Sequence, residues 1–329
     1  MTGNQLKFLS SALIMALGLG SLSACAPAAE RAASPAAAVT SPATECVIID
    51  TDFDIDDMMA IPPVIGGKNV AAIISTEGYA RAPEGAAAME VFLANTHTAL
   101  KPPVIEGAAY QGEVNFEKMP WIPTLRDSME RVNGLLTVPL QPAQSEVSFS
   151  AAITQAVDGC QSVDVLIIGP FTSFVSYSPE ISPKIDEVVM QGKPLQGDPT
   201  QREGNVSFNC EFDMSACESA FEQLKNYKAT WVDVPRGTDP PYSPSAEMVE
   251  GLIDTGLPGT LKAALNATPA NWRLDLLTNG NKSLLWDQSA ALFMLYPDRY
   301  QLVGGHWETT MTPLEFQTQW TADVNATAK

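Results

Sequence analysis

Positive charge is scarce in this sequence. Lysine and arginine together number 19 in 329 residues, against 38 aspartates and glutamates, which gives a formal net charge of −19. Nucleic acids and anionic membrane surfaces attract basic patches, so this balance argues against both as partners.

Histidine is scarcer still: the two are His97, in a stretch predicted to be helical, and His306, in a predicted loop. Both positions favour a structural role over a catalytic one.

Two kinds of binding motif are also missing. The sequence after the N-terminal segment has no glycine-rich phosphate loop, and the spacings of Cys46, Cys160, Cys210 and Cys217 match no zinc pattern. In an oxidising compartment such cysteines can form disulfides instead. Cys46 and Cys160 each lie just before an apolar strand, so these two could pair if the strands are parallel neighbours.

The first 44 residues are predicted to lie outside the globular domain. Lys7 precedes an apolar segment too short for a comfortable membrane span, and that segment ends in LSAC, which resembles a bacterial lipobox. Residues 1–25 are therefore predicted to be a lipoprotein signal peptide with Cys25 lipidated, although an ordinary signal peptide is an alternative. Residues 26–44, rich in Ala, Pro and Ser, predict a tether.

These features predict a location in the cell envelope, with a lipid anchor at Cys25 and the globular body on the periplasmic side. Ala26 rather than Asp follows Cys25, which favours the outer membrane. The protein would then contact the membrane through its N-terminal lipid only.

Residues 45–329 are predicted to form one α/β domain. Apolar runs such as CVIID, VAAIIST and VDVLIIGP alternate with amphipathic stretches such as EGAAAMEVFLANTHTAL, a pattern typical of βαβ units. We predict a single Rossmann-like domain with a mostly parallel central sheet flanked by helices. In such sheets the active site lies at the carboxyl ends of the strands.

Five aspartates occur within eight residues at the end of the first predicted strand, in VIIDTDFDIDDMMA. Alternate residues of a strand share a face, so Asp50 and Asp52 point the same way, whereas Asp56 and Asp57 would open the next helix. Carboxylates this close repel each other unless a cation lies between them. Oxygen ligands at this density suit Ca²⁺ or Mg²⁺; helix caps and solvated loop acids are the alternative reading.

Two known families begin in this way. Haloacid dehalogenase-like phosphatases use an aspartate nucleophile in a DxDx[TV] motif, but Asp54 stands where Thr or Val is expected. The sequence resembles the nucleoside hydrolase family more closely, since Asp50 to Ala60 match its DxDxxxDDxxA signature. Three later segments resemble that family in the same order: LIIGPFTSF, GNVSFNCEFDMSACESA and LLWDQSAALFMLYP.

This resemblance implies a calcium site and a ribose site. The implied calcium ligands are Asp52, Asp57, the Thr172 carbonyl and Asp287, and Asp52 would also be the general base. The implied ribose ligands are Asp56, Asn205, Glu211 and Asp213. Two positions depart from the family pattern, because Ser173 and Asp213 both stand where Asn is usual.

The residues expected to bind the base point to a subgroup. Some members protonate the leaving base with a histidine just before the last calcium ligand, but this chain has Trp286 there. That resembles the purine-preferring (inosine-adenosine-guanosine) group, in which two tryptophans sandwich the purine, and Trp121 lies in the region of the second. Asp54 and Tyr79 are also expected near the base, and both differ from the residues usual in that group.

The resulting prediction is a Ca²⁺-dependent enzyme that hydrolyses the N-glycosidic bond of purine ribonucleosides to base and ribose. Its partner would be a small-molecule ribonucleoside. The alternatives are a Mg²⁺-dependent phosphatase of the haloacid dehalogenase type, and a nucleoside- or ribose-binding module that has lost turnover. The sequence leaves the oligomeric state open, a homodimer included.

Overall fold

The computed structural model describes residues 44–142, 147–194, 207–267 and 284–328. The predicted signal peptide with Cys25, the tether apart from Thr44, and Asn205 lie outside these residues. Within the described part of the chain, no helix is both long and apolar enough to cross a membrane.

Eight strands form one sheet in the order β3-β2-β1-β4-β5-β6-β8-β7. All neighbouring strands are parallel except β7 and β8, which are antiparallel. The mostly parallel sheet predicted from the alternating pattern is therefore confirmed. The strands are β1 (Glu45–Thr51), β2 (Val70–Ser75), β3 (Val104–Glu106), β4 (Ser162–Ile167), β5 (Ile185–Gln191), β6 (Lys228–Val232), β7 (Tyr300–Val303) and β8 (His306–Thr309).

Helices cover both faces of the sheet. They are α1 (Ile55–Gly67), α2 (Ala82–Phe92), α3 (Ile122–Met129), α4 (Phe149–Ala156), α5 (Thr172–Ile181), α6 (Phe208–Phe212), α7 (Met214–Leu224), α8 (Ala246–Glu250), α9 (Gly256–Asn266), α10 (Trp286–Leu295) and α11 (Pro313–Ala326). Helices α1, α2, α9, α10 and α11 supply the core on one face, whereas α4, α5 and α7 supply it on the other.

The strand β1 shows why the sheet is buried on both faces. Val47 and Ile49 belong to one core, and Cys46 and Ile48 belong to the other. Successive side chains of a strand point to opposite faces, so a strand covered on both sides is apolar without interruption. β1 is the third of the eight strands and has a neighbour on each side. Its carboxyl end places the aspartates at the edge of the core.

Two disulfides are present. The bond between Cys46 and Cys160 joins the amino end of β1 to the segment before β4, with a Cα–Cα distance of 5.8 Å. β1 and β4 are parallel neighbours, so the predicted pairing is confirmed. The second disulfide joins Cys210 in α6 to Cys217 in α7.

The histidine environments differ from the prediction. His97 is exposed and lies beyond the end of α2, not in a helix, and His306 is the buried first residue of β8, not part of a loop. Its Nε2 lies 2.8 Å from Glu308 Oε1. Gly304 and Gly305 form a short turn between β7 and β8, so His306 begins a strand where a loop was predicted.

Candidate active site

The turn between β1 and α1 places the first carboxylates. Phe53 has a φ of 53°, a left-handed conformation that is costly for a bulky residue, about 1–3 kcal/mol. Its ring is fully buried and packs against Phe92, with ring centroids 5.9 Å apart. Because the ring is anchored in the core, the backbone on either side of it is fixed. Asp52 therefore ends the strand and Asp54 becomes the N-cap of α1.

Hydrogen bonds hold Asp57 in the first turn of α1. The Thr51 hydroxyl donates to Asp57 Oδ1 and accepts from the Phe53 amide at 3.0 Å. The Asp54 amide donates to Asp57 Oδ2 at 3.0 Å. Asp57 is thereby fixed in one orientation beside Asp56.

A third carboxylate arrives from a distant part of the chain. Asp287 is the second residue of α10, which packs on α1. The side-chain Nε2 of Gln288 donates to the backbone carbonyl of Asp56 at 3.3 Å. Ligand-capable oxygens of Asp56, Asp57 and Asp287 all lie within 4.8 Å of one another. All three residues are buried.

The cluster is electrostatically costly as it stands. Burial raises the pKa values of Asp52, Asp57 and Asp287 well above their usual range, and the negative charges of neighbouring aspartates raise them further. Such groups must be protonated or must share a cation. Oxygen donors alone, several of them carboxylates, fit a hard divalent cation such as Ca²⁺ or Mg²⁺.

These carboxylates line a cavity of about 440 Å³ at the carboxyl ends of the strands. This position confirms the expected location of the site in the sheet. The described residues that line the cavity are Asp52, Asp56, Asp57, Tyr79, Ile168, Gln191, Gly192, Lys193, Ser207, Phe208, Asn209, Asp233, Arg236, Trp286 and Asp287. Six of the predicted site residues are thus brought together: Asp52, Asp56, Asp57, Asp287, Tyr79 and Trp286.

Other predicted residues are engaged elsewhere among the described residues. Thr172 is the first residue of α5; its hydroxyl donates to Asp213 Oδ2 at 2.9 Å, and its carbonyl accepts from the Ser176 hydroxyl at 3.3 Å. Asp213 caps α7 by accepting from the Ala216 amide at 3.0 Å. Glu211 is exposed on α6. None of Thr172, Glu211 and Asp213 is among the cavity-lining residues, and their ligand roles stay predictions.

The two remaining base-site candidates are also apart from the cavity lining. Trp121 is 37% exposed and immediately precedes α3, and Asp54 is buried as the N-cap of α1. Their contact with a base stays a prediction. The second aromatic surface in the cavity comes instead from Tyr79 and Phe208, whose rings stack with centroids 4.4 Å apart and planes 17° apart.

Sequence reasoning missed several cavity residues. Asn209 is buried, and its Nδ2 donates to the Ile168 carbonyl at 2.8 Å. It lies inside the segment GNVSFNCEFD but between the positions that carry the family resemblance. Lys193, Asp233 and Arg236 follow the ends of β5 and β6, so the rule that ligands bind at strand ends could have found them.

Comparison with known proteins decides the family. The sequence matches the profile of the family described as inosine-uridine preferring nucleoside hydrolase over residues 47–327, most of the chain. This chain belongs to that family. It is therefore a hydrolase that acts on N-glycosyl compounds, and the phosphatase alternative is not favoured.

Solved structures of nucleoside hydrolases share the fold. A purine-preferring ribonucleoside hydrolase from Gardnerella vaginalis is 16% identical with a TM-score of 0.57, covering 85% of this chain and 99% of that one. A plant nucleoside hydrolase is 17% identical with a TM-score of 0.59, covering 87% and 100%. An inosine-uridine preferring nucleoside hydrolase from Bacillus anthracis is 14% identical with a TM-score of 0.56, covering 86% and 99%. No curated protein sequence matches this chain significantly.

A partly buried arginine, Arg126, fixes the segment that contacts Asp52 in this nucleoside hydrolase. Asp52 Oδ2 accepts from the Tyr79 amide at 2.8 Å. A Cβ on Gly78 would lie 2.2 Å from the same oxygen, so only glycine permits this approach. Arg126 in α3 holds the segment by donating to the carbonyls of Gly78 and Tyr79 at 3.1 and 3.2 Å, and to Glu77 Oε1 at 2.9 Å.

We expect Arg126→Met to lower kcat/KM for the substrate by about tenfold, because the lost hydrogen bonds free the Tyr79 amide from Asp52. The Tyr79 amide lowers the pKa of Asp52, so the acid limb of the pH–rate profile should also move to higher pH. Arg131→Met, which removes an arginine paired with Asp127 just beyond α3, is the matched control. An unchanged pH profile in Arg126→Met would show that the arginine is only structural.

Proposed function

We propose that this protein hydrolyses the N-glycosidic bond of purine ribonucleosides to base and ribose in a Ca²⁺-dependent reaction. The observation that carries the proposal is the buried group of Asp56, Asp57 and Asp287, with ligand oxygens within 4.8 Å of one another, in the same cavity as Asp52 and Trp286. A divalent cation bound at this group would relieve the mutual repulsion of its carboxylates.

The metal is proposed to be calcium, held by Asp52, Asp57 and Asp287. Ca²⁺ accepts about six to eight oxygen ligands in flexible geometry, whereas Mg²⁺ demands nearly ideal octahedral geometry. Carboxylates that come from the end of β1, from α1 and from α10 therefore suit calcium better. When bound, a calcium ion would orient a water molecule and lower its pKa. The predicted fourth ligand, the Thr172 carbonyl, is not needed for this choice.

Asp52 is proposed as the general base. It is buried at the end of β1, lines the cavity and is aimed by the Tyr79 amide. Its second oxygen can accept the proton of a water that attacks the anomeric carbon. Proton transfer to a positioned carboxylate typically contributes about 10²–10⁴-fold to the rate.

The ribose would develop positive charge as the bond to the base breaks, as in glycoside hydrolysis. The carboxylate of Asp56 lines the cavity and is proposed to accept hydrogen bonds from ribose hydroxyls while stabilising that charge. Asn209 is proposed to contribute a side-chain amide on the other side, because its Nδ2 is anchored to the Ile168 carbonyl and its oxygen remains an acceptor.

The purine is proposed to bind between aromatic surfaces. Trp286 lines the cavity and packs against the core, and the stacked pair of Tyr79 and Phe208 supplies a second surface. Flat, apolar surfaces favour the larger purine ring over a pyrimidine through stacking. This supports a purine preference with Tyr79 and Phe208 replacing the predicted Trp121.

The cell envelope is the proposed location, with a lipid anchor at Cys25. The LSAC tetrapeptide supports it, as do the two disulfides, because disulfides persist in oxidising compartments.

The proposed function is tested by measuring the release of reducing sugar from inosine, adenosine, guanosine and uridine, with calcium and with a chelator. We expect calcium-dependent release from the three purine nucleosides at least about fivefold faster than from uridine, since stacking over the larger ring contributes roughly 1 kcal/mol or more. Faster release from uridine would overturn the purine preference. No release from any of the four would overturn ribonucleoside hydrolysis itself.

A further inference from the structure

One wall of the cavity carries charge of the opposite sign to the carboxylate cluster. Lys193 follows β5 and Arg236 follows β6, and both line the cavity that also holds Asp52. Since β5 and β6 are the second and third strands from β1 in the sheet and strands are about 4.8 Å apart, this wall lies roughly 10–15 Å from Asp52 along the sheet edge.

The wall has more positive charge than its own carboxylate can neutralise. Buried Asp233 accepts through Oδ2 from Arg236 at 3.1 Å, and Lys193 Nζ lies 3.4 Å from the same oxygen. The other oxygen, Oδ1, accepts from the Val234 amide at 2.8 Å. Among the described residues, these two cations share this one negative charge, which leaves one positive charge in excess at the described part of the wall.

Hydrogen-bond donors are also in excess there. The side chains of Lys193 and Arg236 are 45% and 58% exposed, and each uses one nitrogen on Asp233. An arginine has five N–H donors and a lysine three, so most of these donors have no partner among the residues that the structure describes. Arg126, by contrast, is 14% exposed and uses its donors on Glu77 and on backbone carbonyls.

We propose that the preferred substrate of this site is a riboside with an anionic substituent, bound by Lys193 and Arg236. The proposal rests on the proposed riboside hydrolysis and names its substrate class. Arginine matches the oxygens of phosphate and carboxylate groups in a two-pronged geometry. Two substituents share this chemistry: a phosphate monoester on the sugar and a carboxylate on the base.

The net charge of −19 does not oppose this binding at close range. At physiological ionic strength charges are screened over about 8 Å, so acidic groups elsewhere on the surface act weakly inside the cavity. Lys193 and Arg236 would contact the anion directly. The local pair therefore dominates over the overall charge.

Two matched substrate pairs test the proposal: inosine against inosine 5′-monophosphate, and uridine against orotidine. With calcium present, we expect the anionic member of at least one pair to have a kcat/KM at least about tenfold above its neutral partner. A higher kcat/KM for inosine 5′-monophosphate than for inosine would identify the sugar phosphate as the anionic substituent. A higher kcat/KM for orotidine than for uridine would identify the base carboxylate. The same ratio should fall at least about fivefold in the double variant Lys193→Gln/Arg236→Gln.

Lys228→Gln is the matched control, because Lys228 is an exposed lysine paired with Glu187 at the opposite, amino end of β6. Its substrate ratio should equal that of the wild type. Anion-to-neutral ratios at or below one for both pairs, or a ratio unchanged in the double variant, would overturn the proposal.

Binding separates this proposal from the hydrolysis it rests on. If none of the four compounds releases its sugar (ribose 5-phosphate from inosine 5′-monophosphate, ribose from the others), the hydrolysis fails. Calorimetry of the calcium-loaded protein still compares inosine 5′-monophosphate with inosine. Tighter binding of the monophosphate by about tenfold, weakened by added salt and lost in the double variant, would support the anion site. Equal affinities, or a preference that the double variant retains, would overturn it.

Discussion

The variant Asp52→Asn is expected to lower kcat by about 10²–10⁴-fold at saturating calcium, because the amide cannot accept the proton of the attacking water. Asparagine has nearly the same shape as aspartate and can still accept the Tyr79 amide at the position that Asp52 Oδ2 occupies. The loss should therefore appear in kcat and not as unfolding. Steady-state kinetics with the purine nucleosides, beside a thermal melt, measures both effects.

Asp186→Asn provides the matched control for that loss. Asp186 is an exposed residue near the amino end of β5, at the end of the sheet opposite the cavity, and the same chemical change there should leave kcat within about twofold of wild type, since surface substitutions usually change stability by less than about 0.5 kcal/mol. If Asp52→Asn kept more than a tenth of the wild-type kcat, Asp52 would not be the general base.

Removing calcium is the second change with a large expected effect, and its size should depend on pH. In the metal-free protein burial raises the pKa values of Asp52, Asp57 and Asp287 well above the usual 3.8. Burial also raises the pKa of Asp50 to about 7. A raised pKa in the folded state means that the folded protein binds more protons than the unfolded chain above about pH 4. The contribution of these groups to stability is complete below pH 4 and is lost as pH rises towards 7.

Calcium should reverse the part of this loss that comes from Asp52, Asp57 and Asp287, because it replaces the protons on these three carboxylates. The difference in Tm between calcium-loaded and chelator-treated protein is therefore expected to be small near pH 4 and to grow towards pH 7. At a calcium concentration about 100 times Kd the gain is about 2.7 kcal/mol, or about 4–5 °C for a domain of this size. Chelation at pH 7 should also abolish sugar release.

Differential scanning fluorimetry across pH measures the effect. Asp287→Asn removes one carboxylate of the cluster and should reduce the calcium-dependent rise in Tm, whereas Asp186→Asn should not. Melting curves that coincide with and without calcium at every pH would show that the buried carboxylates do not bind this metal.

Local sequence predicted the part of the site that comes from one turn. Asp52, Asp56 and Asp57 lie within six residues, and strand and helix periodicity are enough to predict that they converge. Asp287 comes from 230 residues further along the chain, and only the family resemblance pointed to it. Its position is fixed by the packing of α10 on α1, which no local pattern encodes.

Two predicted ligands, Asp213 and Thr172, lie outside the cavity lining for identifiable physical reasons, and their ligand roles stay predictions. Asp213 has a free local alternative, the amide of Ala216, and so caps α7 instead of lining the cavity. Thr172 begins α5, so its carbonyl is drawn into the helix and towards Ser176. The left-handed conformation of Phe53 is unreadable from sequence, because it depends on an aromatic ring fixed in the core and not on residue preference.

The Lys193 and Arg236 wall was missed for another reason. Lys193 and Arg236 follow β5 and β6, but Asp233 is the residue that joins them, and it is buried. A search restricted to the acidic motif could not find a cationic site on a different pair of strands. If the carboxyl ends of all the strands are considered together, Lys193 and Arg236 are predicted to lie at the same edge of the sheet as the aspartates.

The direction of β1 determines how the molecule can be attached to a solid support. The described chain starts at Thr44, beside the amino ends of β1 and β4, where the Thr44 carbonyl accepts from the Gln161 amide at 2.9 Å. The cavity opens at the other ends of those strands, about 20 Å away for a seven-residue strand. A bead or electrode coupled just before Thr44 would therefore face the Cys46–Cys160 disulfide, with the mouth of the cavity turned towards the bulk solution. Coupling through Lys193, which lines the cavity, would instead risk covering the entrance.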